Sequence, residues 1–75
     1  MTAQQIFDER FGRPHDPRSK PYKAGVLYIL RRKAGEIERQ VCPHATGSSE
    51  ADAWYAGVDE GLLLWRAEQR QEVQA

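Results

Sequence analysis

The stretch Ser48-Ser49-Glu50-Ala51-Asp52-Ala53-Trp54-Tyr55-Ala56-Gly57-Val58-Asp59-Glu60-Gly61-Leu62-Leu63-Leu64-Trp65 decides the fold. Ala51, Trp54, Val58, Leu62 and Trp65 stand at i, i+3, i+7, i+11 and i+14, which aligns them along one side of an α-helix. Ser48 or Ser49 supplies an N-cap oxygen, and Glu50 and Asp52 place carboxylates at the positive end of the helix dipole. The spacing predicts a helix from about residue 49 to about residue 69. Beside the apolar stripe, Ala53, Gly57 and Gly61 stand four apart. Glycine inside a helix costs about 1 kcal/mol relative to alanine, so these positions call for a compensating contact. We read them as a groove of missing side chains, packed closely against the Ala24-Gly25 end of another helix.

Toward the N-terminus, Cys42-Pro43-His44-Ala45-Thr46-Gly47-Ser48-Ser49 reads as a loop, because proline disfavours helix at Cys42 and the glycine and serines prolong the break. Before it, Tyr22, Val26, Ile29, Leu30, Lys33 and Ile37 recur at spacings of three and four, with Leu27, Ala34 and Val41 widening the side. Pro21 suits a first turn, so a helix is predicted from Pro21 to about Gln40, with Gly35 as its weak point. Val26 to Leu30 also fits a buried strand; the flanking helix formers, and the lack of a turn leading to a second strand, favour helix. Phe11 to Pro21 holds three prolines and reads as an arm or linker. Ahead of it, Thr2 caps a short helix over Ala3 to Arg10, gripped only by Ile6 and Phe7 and too short to persist alone. Beyond Arg66 the chain has little to bury and is expected to fray. The expected fold is all-α. A two-helix hairpin over about 21–40 and 49–69 forms the domain of residues 21–69, with an N-terminal arm or short helix over 1–20 and a frayed tail over 70–75.

A chain of 75 residues holds one domain, and one this short buries only roughly 60% of the surface its unfolded form exposes. A 40% hydrophobic and 29% charged composition favours a folded chain over a disordered one. The longest apolar run, Gly25 to Leu30, is closed by Arg31-Arg32-Lys33 and falls far short of the roughly 20 residues of a membrane span. Residues 1–10 lack the basic start and apolar middle of a signal peptide, so a cytoplasmic protein without membrane attachment is expected. A single cysteine makes no internal disulfide. The zero net charge hides an asymmetry: residues 1–40 carry nine Lys or Arg against five acids, and residues 41–75 carry two against six. Such halves pair within a hairpin, pair between subunits, or offer a basic face to nucleic acid.

Tyr22-x-Ala24-Gly25, then Cys42-Pro43, then Trp54-x-x-Gly57 with Gly61 four residues on, follow in an order that resembles the ribosome modulation factor family of small bacterial and phage-encoded proteins. The resemblance covers about residues 21–66. Its motifs are short, and their order and the Cys-Pro to Trp spacing carry it. It implies a hairpin in which Tyr22, Ala24, Gly25, Cys42, Pro43, Trp54, Gly57 and Gly61 are structural. It also implies binding to the ribosome or rRNA, with translational silencing or ribosome dimerisation. The segment from Ala24-Gly25 to Cys42-Pro43 is longer here than in ribosome modulation factor itself, and the balanced charge departs from a strongly basic family member.

Lys20, Lys23, Arg31, Arg32 and Lys33 are the candidate RNA contacts, since cations spaced along a helix meet successive phosphates, and Tyr28 or Tyr22 offers a ring for an exposed base. The plain alternative is a solvated helix face whose last cations favour the dipole. Cys42 and His44 are too few for zinc, and only His15 and distant carboxylates would complete the set. A Cys-His nucleophile would further need a pocket and an oxyanion site. No phosphate-binding Gly-x-x-x-x-Gly-Lys-Ser/Thr or Gly-x-Gly-x-x-Gly loop is present, and Asp59-Glu60 reads as a solvated pair. Tyr55, Leu63, Leu64 and Trp65 exceed what two helices cover, which predicts an interaction surface and a homodimer. The function read here is a noncatalytic regulatory protein that binds the ribosome or rRNA without cofactor or metal. The alternative is a helical protein-interaction module of phage or mobile-element origin, indifferent to nucleic acid.

Overall fold

The computed structural model describes residues 2–12 and 18–74, with side chains described as far as Arg70. It holds three helices: α1 (Ala3–Phe11), α2 (Lys20–Lys33) and α3 (Ser49–Gln74). The described residues contain no strand, so Val26 to Leu30 is helical. The segment 13–17, which includes Pro14, His15 and Pro17 of the proline-rich arm, lies outside the described residues, as do the side chains of residues 71–75.

Each helix start follows from a short side-chain oxygen. Thr2 Oγ1 accepts from the Gln5 amide at 3.1 Å, and the Thr2 amide donates to Gln5 Oε1 at 2.8 Å, a capping box that satisfies two otherwise orphaned donors. Ser19 Oγ accepts from the Tyr22 amide at 3.4 Å, with Pro21 in the first turn of α2. Ser48 is the cap of α3: its Oγ accepts from the Ala51 amide at 3.1 Å and donates to the Ala45 carbonyl at 2.6 Å.

The end of α2 corrects the predicted boundary near Gln40. Gly35 has a φ of 79°, and the Gly35 amide donates to the Arg32 carbonyl at 3.1 Å while the Glu36 amide donates to the Arg31 carbonyl at 2.9 Å. This left-handed glycine turns the chain and satisfies the last carbonyls, so it terminates the helix where the periodicity of Ile37 and Val41 carried it onward. At the other end of the chain, α3 continues to Gln74, five residues past its predicted end near Gln69.

The α2–α3 contact is made through absent side chains. A Cβ placed on Gly25 runs into the Trp54 carbonyl oxygen, and one on Gly57 runs into the Tyr22 carbonyl oxygen. One on Gly61 meets the Ile29 side chain and the Val26 backbone. The predicted close approach is therefore present, centred on Gly25, while its neighbour Ala24 faces solvent.

The N-terminal helix is docked. Ala3, Ile6 and Phe11 of α1 are buried with Val26 and Leu30 of α2, and Phe7, Tyr22, Leu64 and Trp65 pack partly buried against them. Val26 and Leu30 are fully enclosed. Phe11, expected in the linker, is thus the last residue of α1 and part of the core, and the architecture is a three-helix unit. Polar ties reinforce it. Arg31 donates to Gln4 Oε1 at 3.1 Å, and Arg10 pairs with Glu60 at 3.3 Å, linking the basic and acidic halves across α1 and α3. An exposed pair of this kind is worth roughly 0–1 kcal/mol, so the apolar contact dominates the docking. Among the described residues no helix is long and apolar enough to cross a membrane.

Candidate nucleic-acid interface

Successive residues of an α-helix are turned about 100° from one another, which disperses the cations at the end of α2. Arg31 is half-buried and bound to Gln4 of α1. Arg32 is exposed and lines a hollow on the α3 side, and Lys33 lines a different one. Lys20 is exposed and Lys23 half-buried in the first turns, at the far end of the helix from this group. The five candidate cations therefore do not form one stripe.

Structure supplies other partners for two of them. The first hollow, about 510 Å³, lies between α2, α3 and the connection after α2; Tyr28, Trp54, Tyr55 and Val58 line it together with Arg32 and Arg39. The second, about 400 Å³, gathers Lys33, Arg66 and Arg70 around Leu62, Trp65 and Gln69. Tyr55, Val58, Leu62, Arg66 and Gln69 recur at threes and fours, so the two hollows succeed one another along one flank of α3. Five cations line this flank, and no Asp or Glu lines either hollow among the described residues. In a chain of zero net charge that is a marked local segregation. Arg39, Arg66 and Arg70 were not singled out in the sequence. The i, i+4 spacing of Arg66 and Arg70 was a visible signal, but their proximity to Lys33 is tertiary.

Tyr28 needs correction as a free stacking ring. Its hydroxyl donates to the Gln40 carbonyl at 3.2 Å and accepts from the Gln40 amide at 3.1 Å, while its ring lies 5.0 Å from that of Trp54. It therefore clamps the 34–47 connection onto the helices. In Tyr28→Phe this pair of hydrogen bonds is lost at a net cost of about 1 kcal/mol. The Gln40 amide is then expected to exchange with solvent faster while amides of the α2–α3 crossing keep their protection. Equal Gln40 rates in the two proteins would show that the hydroxyl restrains nothing.

Of the residues that carry the resemblance, Gly25, Trp54, Gly57 and Gly61 lie buried in the crossing, Tyr22 and Cys42 are half-buried, and Ala24 and Pro43 are exposed. The expected interaction surface divides. Tyr55 and Leu63 are 55% and 60% exposed, but eight residues of helix set them about 12 Å apart along the axis. Leu64 and Trp65 turn inward against the core that α1 completes, a third layer the two-helix reading lacked. Cys42 and His44 line a shallow depression with Asp52, yet no group of three His, Cys, Asp or Glu among the described residues is placed to hold a metal ion. No protein-family model, curated protein or solved structure matches this chain.

Proposed function

We propose that this protein is a noncatalytic regulator that binds single-stranded RNA on the ribosome, in the manner that its resemblance to the ribosome modulation factor family implies. The observation that carries the reading is the pair of hollows along α3 that no carboxylate among the described residues lines, with Arg32 and Arg39 beside aromatic rings and Lys33, Arg66 and Arg70 a few turns further on. Cations that track a backbone, next to rings on which bases stack, are the two parts of a sequence-tolerant single-strand site. A ribosomal target places the action in the cytoplasm.

Cosedimentation with bacterial ribosomes across a salt series tests it. Binding is expected to weaken linearly with log salt, and Lys33→Ala/Arg66→Ala/Arg70→Ala is expected to flatten the slope by about 2, at roughly 0.7 for each single-strand phosphate that the variant no longer neutralises. Wild-type protein that stays in the supernatant at low salt refutes the reading.

The exposure of Tyr55 and Leu63 favours a second reading, a protein-interaction module whose simplest partner is another copy of the chain. Its mark is association that survives high salt, because burial of apolar surface is not screened. A monomer in sedimentation at high micromolar concentration removes the homodimer.

A further inference from the structure

The hollow between α3 and the 34–47 connection has a defined chemical character. Trp54 is 5% exposed and forms the floor. Tyr28 lies against one part of that ring at 5.0 Å, and Tyr55 meets it edge-on at 5.2 Å with an interplanar angle of 86°. Of the three rings Tyr55 is the exposed one, so it is the ring with a face for an incoming planar group. Arg32 and Arg39 are exposed at the same hollow, and no carboxylate among the described residues lines it; Asp52 lines the neighbouring depression, which Tyr55 also lines. A planar aromatic body joined to an anion is the ligand that complements this set: a stacking face and two guanidinium groups.

We infer that this hollow is a subsite for one unpaired nucleotide, its base stacked on Tyr55 over the Trp54 floor and its phosphate held by Arg32 and Arg39. The inference rests on the RNA-binding reading and adds to it a particular pocket and an order of roles. Tyr28 has a further consequence. Its hydroxyl engages both the amide and the carbonyl of Gln40, so that residue's main-chain N–H is not free to donate to a base edge. The subsite holds the base chiefly by its face, and adenylate strands are expected to bind more tightly than uridylate strands through their stronger stacking. The shared chemistry is a nucleoside 5′-phosphate, supplied either free or as a unit of a strand.

The test titrates the full chain, with amide signals followed by NMR, using adenosine 5′-monophosphate, a single-stranded adenylate hexamer, a duplex of the same length and inorganic phosphate. Saturable shifts at residues 39–42 and 54–58 are expected with the hexamer and not with the duplex, whose bases are unavailable for stacking. Tyr55→Ala is expected to lower hexamer affinity by about five- to 150-fold, the loss of one base–aromatic stack, and Arg39→Gln to lower it severalfold. Tyr55 is exposed, so circular dichroism is expected to leave the helices unchanged. Binding of the monophosphate with the same Tyr55 dependence identifies a free nucleotide as a ligand; its failure with hexamer binding retained assigns the site to a strand. Hexamer affinity within twofold of wild type in both variants, or phosphate shifting the same amides as strongly as the nucleotide, overturns the subsite and leaves the RNA-binding reading standing. Monophosphate binding without ribosome or hexamer binding does the reverse.

Discussion

Gly57→Ala is expected to lower the melting temperature by roughly 8 to 16 °C, the shift of about 2 kcal/mol in a domain of this size. On an open helix the same change would stabilise by about 1 kcal/mol, because alanine is the better helix former. Here the new methyl meets the Tyr22 carbonyl and the α2 backbone beside it, the Val26 amide. Backbone has no alternative rotamer, so relief requires that α2 and α3 move apart, which loosens the packing of Val26, Ile29 and Trp54. Overpacking of a close-packed site costs about 1–3 kcal/mol, and this one belongs at the upper end since both colliding groups are main chain. Gly25→Ala repeats the experiment from the other helix, against the Trp54 carbonyl. Thermal melts followed at 222 nm decide it by sign: a rise in melting temperature would mean that the helices are not in van der Waals contact at these glycines.

That crossing was legible because two glycines four apart in an otherwise strong helix contradict local propensity, and tertiary contact is the ordinary reason for such a contradiction. Gly35 carried the opposite lesson. Ile37 and Val41 continued the apolar spacing, so the glycine read as a flaw within a helix, whereas its left-handed backbone is what ends the helix. The exposure of Val41, 91%, shows that the continued periodicity was coincidental. The basic run Arg31-Arg32-Lys33 looked like one patch because adjacency in sequence is visible and rotation about a helix is easily overlooked. Lys33 then joins Arg66 and Arg70 of the acidic half, a grouping that no local pattern contains and that depends on the register set by Gly25 and Gly57.

Phe11 was the least legible residue, since a proline-rich segment begins three positions later and the helix ahead of it has few apolar residues. The structure keeps it helical to the last position: Gly12 closes α1 with its amide donating to the Asp8 carbonyl at 2.6 Å. The Phe11 ring is 6% exposed, 5.1 Å from Phe7 and edge-on to Tyr22 at 6.3 Å. Removing such a ring costs about 3–5 kcal/mol, a large share of the roughly 4–11 kcal/mol that about 0.05–0.15 kcal/mol per residue gives a 75-residue chain. Phe11→Ala is therefore expected to lower the melting temperature by at least about 12 °C, at roughly 4–8 °C for each kcal/mol lost. Because Val26 and Leu30 pack on α1 while their helix also supports α3, unfolding is expected to be one cooperative transition, with helix signal and tryptophan emission changing together. If the emission shifts at a temperature where the 222 nm signal is retained, α1 leaves alone, and the α2–α3 crossing is an independent folding unit. A melting temperature within a few degrees of wild type would mean that α1 does not dock in solution, and Leu64 and Trp65 would then return to the exposed surface.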